Sequence, residues 1–518
     1  MVKRGVEDLC TTLGQGPGSS ILGRQRMKLQ DALAGIDLSY PVADSSVEIS
    51  HLACHTSKVE PGTLFFALRG AKSDGNQYVK DAVAQGVVAI ASEEPRNAEV
   101  PDQIVWVQAR DGRKSLALAA ANFYGHPGRA LRMVAVTGTN GKTTTTHLMD
   151  SILKATGQGT GLFGTIAYHT PRGEYPSANT TPESLDLQGF LAEIRDAGGK
   201  FAVLEASSHA LAMDRLWGCH FDAAVFTNLT REHMDYHKTF DDYFAAKRRL
   251  FEGTGSGAPE VGVINTDDPY GKLLAGMAKA TLSYGLESNA DITTPKFMLS
   301  FSGLKFTAHT PIGKIEIESP LVGRINVYNI LAAVGAAVAL SLPRDAIEKG
   351  IRNLESVSGR FQRIDMGQPF SVIVDYAHTD DALENLIRTA RELNPKGRII
   401  TMFGCGGGKD RTKRPVMGEV AGKHSDLVVL SSDNPRNEDP LRIISDIVVG
   451  LQKVEGKYVI EPDREKAIGV AFDYAKSGDI VLLCGKGHET YQILGDRSLA
   501  FDEREAARRV LRERGFGT

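Results

Sequence analysis

From about Leu131 onward the apolar positions of the chain come in short unbroken runs: MVAV, FAVLE, DAAVF, VGVI, SVIVD, RIITMF, LVVL and IVLLC. Each run leads into a loop rich in Gly, Asn or Asp, and then into an amphipathic stretch. Apolar runs this short, bounded by turn residues, read as strands buried on both faces. Their alternation with helical stretches predicts parallel sheets covered by helices. Ligands of doubly wound sheets lie beyond the carboxyl ends of the strands, so the chemistry is expected in the loops that follow the runs. Regular patterning begins earlier, at Met27 in MKLQDAL.

At 518 residues the chain is too long for one hydrophobic core, and ordinary domain sizes give about three domains. The predicted fold is α/β, with a central phosphate-loop sheet domain and a C-terminal Rossmann-like α/β domain. Boundaries are expected near residue 110, before the helix-like KSLALAAANFYG, and near 355, after the apolar helix around 326–342. That divides the chain into 27–110, 111–355 and 356–518. Residues 1–26, with Gly14, Gly16, Pro17, Gly18 and no continuous apolar segment, read as a flexible extension and not as a secretory signal.

Composition narrows the class. With 60 basic and 63 acidic residues the net charge is -3, which gives no global attraction to nucleic acid or to an anionic membrane, so any phosphate site must be local. The most apolar run, 332–342, is about half of the roughly 20 residues a membrane span needs. Five scattered cysteines, without paired CxxC spacing, fit a reducing cytoplasm.

The strongest local signal is LRMVAVTGTNGKTTTTHLMDSIL: an apolar strand, a glycine loop, and a helix with Leu148, Ile152 and Leu153 on one face. Gly138 and Gly141 let backbone N–H groups wrap a phosphate, Lys142 reaches its terminal oxygens, and the Thr143 hydroxyl is placed for Mg2+. The spacing GxxGKT is two residues shorter than the general pattern. A phosphate loop identifies a nucleotide and not a reaction, so an acid for the metal is sought on a neighbouring strand. FAVLEASSHAL supplies Glu205 at a strand end, where an ordinary strand-end acid would look the same.

TGTNGKTT, EASSHAL, NLTREHMDYH, YFAAKRRLF, VINTDD and DYAHT, in this order, resemble the Mur ligase family from about Met27 to the C-terminus. NTTPES, GKGHE and above all DNPR resemble its diaminopimelate-adding branch. The resemblance implies a cytoplasmic, monomeric enzyme of peptidoglycan precursor synthesis, in three domains that bind UDP, ATP and an amino acid in that order. Its reaction would be ATP-dependent addition of meso-2,6-diaminopimelate to UDP-N-acetylmuramoyl-L-alanyl-D-glutamate through an acyl phosphate. No nucleic acid or membrane partner is implied. Two polyanions must be held together in this chemistry, which calls for metal ions and cationic donors more than for a protein nucleophile.

Carried over motif by motif, the resemblance assigns catalysis to Lys142, Glu205, His233 and Lys247. ATP would be bound by Gly138, Thr139, Asn140, Gly141, Lys142, Thr143, Thr144, Asn265, Asn326, Arg360, Asp375 and His378. Mg2+ would be held by Thr143, Glu205, His233 and Lys247, the last as a carbamate formed with CO2. The UDP-sugar dipeptide would meet Thr56, Asn179, Thr180, Thr181, Ser207 and Arg215. Diaminopimelate would meet Lys409, Asp433, Asn434, Pro435, Arg436, Gly485 and Glu489. Two departures stand out: His55, Thr56 and Ser57 replace the family's DSR triplet, and Gly406-Gly407-Gly408-Lys409-Asp410 replaces GGDRD, putting lysine where a substrate-binding arginine is usual. Three alternatives stand beside this reading: a lysine-adding or folylpolyglutamate-type ligase, a phosphate-loop kinase, and a binding protein without chemistry.

Overall fold

A computed structural model of the chain describes residues 26–70 and 73–517. The expected N-terminal extension lies outside the described residues except for Arg26. Three layered α/β units follow one another. The first is a four-stranded parallel sheet in the order His51–Ala53, Thr63–Ala67, Ala89–Ser92, Val105–Gln108. The helix Gly112–Phe123, capped by the Asp111 side chain, buries Leu116, Ala119, Ala120 and Phe123 in the same core as Leu64, Phe66 and Val107. The expected boundary at 110 precedes this helix, whose core also takes in Leu185 of the central helix Ser184–Asp196. Its small-residue composition, rich in alanine, lets it also lie against the central helix Ser184–Asp196.

The central sheet has eight strands, in the order Gly173–Pro176, Ala167–Thr170, Thr160–Phe163, Phe201–Glu205, Arg132–Thr137, Ala223–Phe226, Val261–Asn265, Ala280–Tyr284. The last six are parallel and the first two antiparallel. Alternation along a strand explains why its middle must be apolar throughout. Val134 and Val136 face a cluster with Leu148, Ile152 and Leu153, whereas Met133 and Ala135 face one with Leu187, Leu191 and Phe251. The apolar helix Arg324–Ala339 is buried along nearly its whole length in the first cluster. It is a core helix, and among the described residues no helix is long and apolar enough to cross a membrane.

All eight apolar runs are strands. The antiparallel sheet Phe297–Ser300, Gly303–Thr310, Gly313–Ser319 was not among the predicted elements. Its signal was nevertheless present, since GKIEIES buries alternate residues, Ile315 and Ile317, on one face only.

The C-terminal sheet runs Gln362–Ile364, Ser371–Asp375, Ile480–Cys484, Ile399–Phe403, Leu427–Leu430, Tyr458–Ile460, parallel except for its first strand. Asp375, Gly404, Asp433 and Gly485 therefore all lie at or just past the carboxyl ends of its strands.

Candidate active site

The strand Arg132–Thr137 turns into the helix Lys142–Ala155 through two glycines with left-handed backbone, Gly138 at φ 144 and Gly141 at φ 87. A Cβ would lie 1.9 Å from Thr227 Oγ1 at the first and 2.4 Å from Asn329 Oδ1 at the second, so neither position tolerates a side chain. No side chain caps the helix, which leaves its first amides for an anion. Lys142 Nζ folds back to Gly138 O (3.0 Å) and Thr139 O (2.7 Å). Lys247, from the helix Phe240–Glu252, donates to the same Gly138 O at 2.6 Å. Burial lowers the pKa of both amines; that of Lys247, 1% exposed and beside Lys142, falls well below the usual lysine range.

Glu205 is fully buried and accepts from Thr165 through both oxygens, from the amide at 2.8 Å and the hydroxyl at 3.1 Å. His233 has φ 58, and its Nε2 lies 3.4 Å from the Glu232 carboxylate. Burial brings the His233 imidazole down to about 4 against the opposing charge of Glu232. Burial alone would raise Glu232, but His233, His378 and Lys142 hold it well below the carboxylate range.

These groups line one cleft of about 230 Å3, walled by Thr139 to Thr144, Glu205, Ser207, His233 and Lys247 on the central side and by Arg360, Asp375 and His378 on the C-terminal side. Thr180, Asn326 and Asn329 also line it. Three polar contacts cross it: Arg360 to the Thr143 hydroxyl (3.3 Å), His378 Nε2 to Glu232 (3.1 Å), and Asn140 to Asp381 (2.8 Å). Asp375 holds its own loop by accepting from Phe361 N (2.6 Å) and Ala377 N (2.7 Å).

A second cleft of about 240 Å3 lies against the first, lined by Lys409, Asp433, Asn434, Arg436, Gly485 and Glu489. Glu232, His233, Tyr376 and His378 line both, so they form the shared wall. Lys409 Nζ reaches Asp235 across the opening (3.4 Å), whereas Arg411 is 68% exposed and pairs with Glu438 (3.0 Å). Pro435 is buried in the loop without lining the cleft.

Other expected site residues stand apart from both linings. Asn265 spends its side chain on Thr227 O (2.7 Å) and Asp267 N (3.1 Å), which shapes a turn. Thr181 bonds Glu205 O (2.7 Å) and Ser207 Oγ (3.1 Å), and Arg215 bonds Thr181 O (2.9 Å) and Glu183 (2.6 Å). Arg215 Nε is nevertheless buried without a partner among the described residues. Asn179 presents its backbone to Ser177 and Tyr168. Thr56 sits on the short turn Thr56–Lys58, beside Lys58, which joins the first unit to Asp186 (3.0 Å).

Sequence reasoning passed over Glu232, Thr165 and Tyr243. Glu232 was adjacent to the named His233 in NLTREHMDYH, and only the approach of His378 from a distant segment marks it. Thr165, which holds Glu205, and Tyr243, whose ring lies 4.6 Å from Lys247 Nζ, have no sequence signal of their own.

Among the described residues no three His, Cys, Asp or Glu are clustered to hold a metal by themselves. The donor set still fits Mg2+, an ion that keeps several waters and takes one or two protein oxygens together with substrate phosphates. Thr143 and Glu205 supply such oxygens on the wall beside the phosphate loop.

This fold and site define an ATP-dependent ligase of the amide-bond-forming type, and the chain belongs to the Mur ligase family. Family models match it over 48–124 (Mur ligase family, catalytic domain), 136–337 (Mur ligase middle domain) and 359–487 (Mur ligase, glutamate ligase domain). It is 49% identical over 494 residues to the UDP-N-acetylmuramoyl-L-alanyl-D-glutamate--2,6-diaminopimelate ligase of Solibacter usitatus (strain Ellin6076), covering 95% of this chain and 99% of the relative. The enzyme of the same name from Geobacillus kaustophilus (strain HTA426) is 42% identical, over 94% of this chain and all of its own length (100%). A solved structure of an enzyme with that name superposes with TM-score 0.66 at 32% identity, covering 95% of this chain and 100% of that one. The fold is shared more widely: MurF ligase from Thermotoga maritima in complex with ADP gives TM-score 0.61 at 17% identity, over 89% and 97% of the two chains.

Proposed function

We propose that this enzyme joins meso-2,6-diaminopimelate to UDP-N-acetylmuramoyl-L-alanyl-D-glutamate, with cleavage of ATP to ADP and phosphate, in peptidoglycan precursor synthesis. The observation that carries this reading is the pair of adjoining clefts. One is built around a phosphate loop, the other around the DNPR segment, and the two meet at Glu232, His233, Tyr376 and His378. An acyl phosphate made in the first would face an amine held in the second. In the chemistry, a substrate carboxylate oxygen takes the γ-phosphoryl group and ADP leaves. The amine then attacks the carbonyl, phosphate departs, and the amine loses a proton.

Gly138 to Thr144 cradle the phosphates, and Arg360 approaches them from the C-terminal side. Asn326, Asp375 and His378 border the remainder of the nucleotide. Mg2+ would be held by Thr143, Glu205 and His233, and would offset the negative charge that gathers as the phosphoryl group moves. Lys247 adds to this as a carbamate. Burial favours the uncharged form of the Lys247 amine, which would add CO2 and release a proton, giving an anion beside Lys142. Thr180 and Ser207, on the lining of the first cleft, would meet the UDP-sugar dipeptide, with Thr56, Asn179, Thr181 and Arg215 assigned to the same substrate by the family motifs.

The experiment is phosphate release with each substrate omitted in turn. Release is expected only when ATP, the UDP-dipeptide and diaminopimelate are all present. Release without an amino acid, or equal rates with lysine, would overturn the assignment.

Of the two neighbouring cations Lys409 and Arg411, Lys409 lines the acceptor cleft and Arg411 lies outside its lining. Lysine keeps the charge of the usual arginine but loses its planar fork. Lys409→Ala is expected to raise KM for diaminopimelate about tenfold or more, Lys409→Arg to leave it equal or lower, and Arg411→Ala to change it less. An unchanged KM in Lys409→Ala beside a raised one in Arg411→Ala would reverse the assignment of this loop.

A further inference from the structure

Lys486 is fully buried, lines neither cleft, and sits between two segments that build the acceptor cleft. An amine head can give three hydrogen bonds, and here three acceptors surround it: Asn434 Oδ1 at 2.7 Å, Glu489 Oε2 at 2.8 Å and Tyr491 O at 2.8 Å. Nothing of Lys486 is left for a substrate. The Asn434 side chain is also largely taken up, since its Oδ1 accepts a second bond from Ile493 N (2.9 Å) and its Nδ2 donates to Glu489 Oε2 (3.1 Å). Glu489 Oε2 is thus occupied twice, while Oε1 has no protein partner among the described residues.

The same segment grips the rest of the DNPR loop. Gln492 Nε2 donates to Asp433 O (2.7 Å), Arg436 N donates to Ile493 O (3.1 Å), and Gly495 N donates to Arg436 O (2.9 Å). Arg436 has φ 52, a backbone conformation that a side-chain-bearing residue holds only when its surroundings impose it.

We infer that Lys486 is a positioning residue for acceptor binding: from beneath the cleft it fixes Asn434 and the Glu489 carboxylate, so that Glu489 Oε1 and the Arg436 guanidinium are presented to the incoming amino acid. The inference rests on the acceptor reading above. It gives Asn434 a supporting role as well, because three of its side-chain hydrogen bonds are made to the protein.

The test is steady-state KM for ATP, for the UDP-dipeptide and for the amino acid, in Lys486→Met and Gln492→Ala, with thermal melting of each. Lys486→Met should raise the amino-acid KM about tenfold, and Gln492→Ala about threefold, with kcat and the other two KM values within about twofold. A folded Lys486→Met with unchanged amino-acid KM overturns the inference, as does a rise of all three KM values together, which is the mark of a general structural role. If Lys486→Met does not fold, Gln492→Ala decides by the same criterion. The amino acid used is whichever of diaminopimelate, lysine and ornithine the unaltered enzyme joins fastest. A preference for lysine would thus remove the diaminopimelate reading while the role of Lys486 is still decided.

Discussion

Lys247→Ala is expected to lower ligase turnover by about a thousandfold, the scale on which removing a preorganised electrostatic group from a buried site acts. The loss is chemical and not a collapse of the phosphate loop, because Gly138 O keeps a second donor, Lys142 Nζ at 3.0 Å, when the Lys247 contact at 2.6 Å is removed. The side chain is enclosed by Tyr243 and the loop, so alanine leaves a small space at the position where the carbamate would stand. Short carboxylic acids such as acetate should fill that space and return part of the activity. Stripping bicarbonate from the unaltered enzyme should likewise lower its rate, with recovery on adding bicarbonate back. A Lys247→Ala enzyme as active as the parent, without additives, would remove lysine carbamylation from the mechanism.

Arg436→Ala should act most strongly on which amino acid is joined. The Arg436 guanidinium gives Nη1 to Gly407 O at 2.7 Å, while Nε and Nη2 are without protein partners among the described residues. A fork with free donors suits the second carboxylate of diaminopimelate, a group that lysine lacks. Sites built around a polar partner reject analogues lacking it by about 10⁴ or more, so the parent should prefer diaminopimelate to lysine on that scale in kcat/KM. In Arg436→Ala the preference should shrink by at least about a hundredfold, with kcat/KM for diaminopimelate falling by two orders of magnitude or more and the rate with lysine little changed; that fall corresponds to at least about 2.7 kcal/mol. Arg436→Lys should recover only part, since a point charge cannot make paired planar bonds. Retained discrimination in Arg436→Ala would place acceptor recognition elsewhere in the cleft.

Much of the molecule is legible in the chain itself, for a local reason. Strands buried on both faces need unbroken apolar runs, and all eight such runs are strands of the central and C-terminal sheets. The phosphate loop was equally readable, because its two glycines answer to backbone conformation and to the absence of room for a Cβ. The ordered motifs identified the family. The helix Gly112–Phe123 was legible as a helix, while which cores its alanines enter depends on what packs against them.

What only the tertiary structure decided is which polar groups meet. Glu232 reads in the sequence as an ordinary loop acid, and becomes part of the wall between two clefts because His378, 146 positions away, closes on it. Asn265 and Asn434 carry the right chemistry for ligands, yet the fold directs much of their hydrogen-bonding capacity to the protein itself. Lys486 has no distinguishing neighbour in GKGHE, and its role follows from three acceptors brought around one amine from Asn434, Glu489 and Tyr491. Hydrophobic periodicity is a property of consecutive residues and survives in one dimension. Hydrogen-bond saturation depends on distance and direction between groups far apart in the chain, and no spacing along the sequence encodes it.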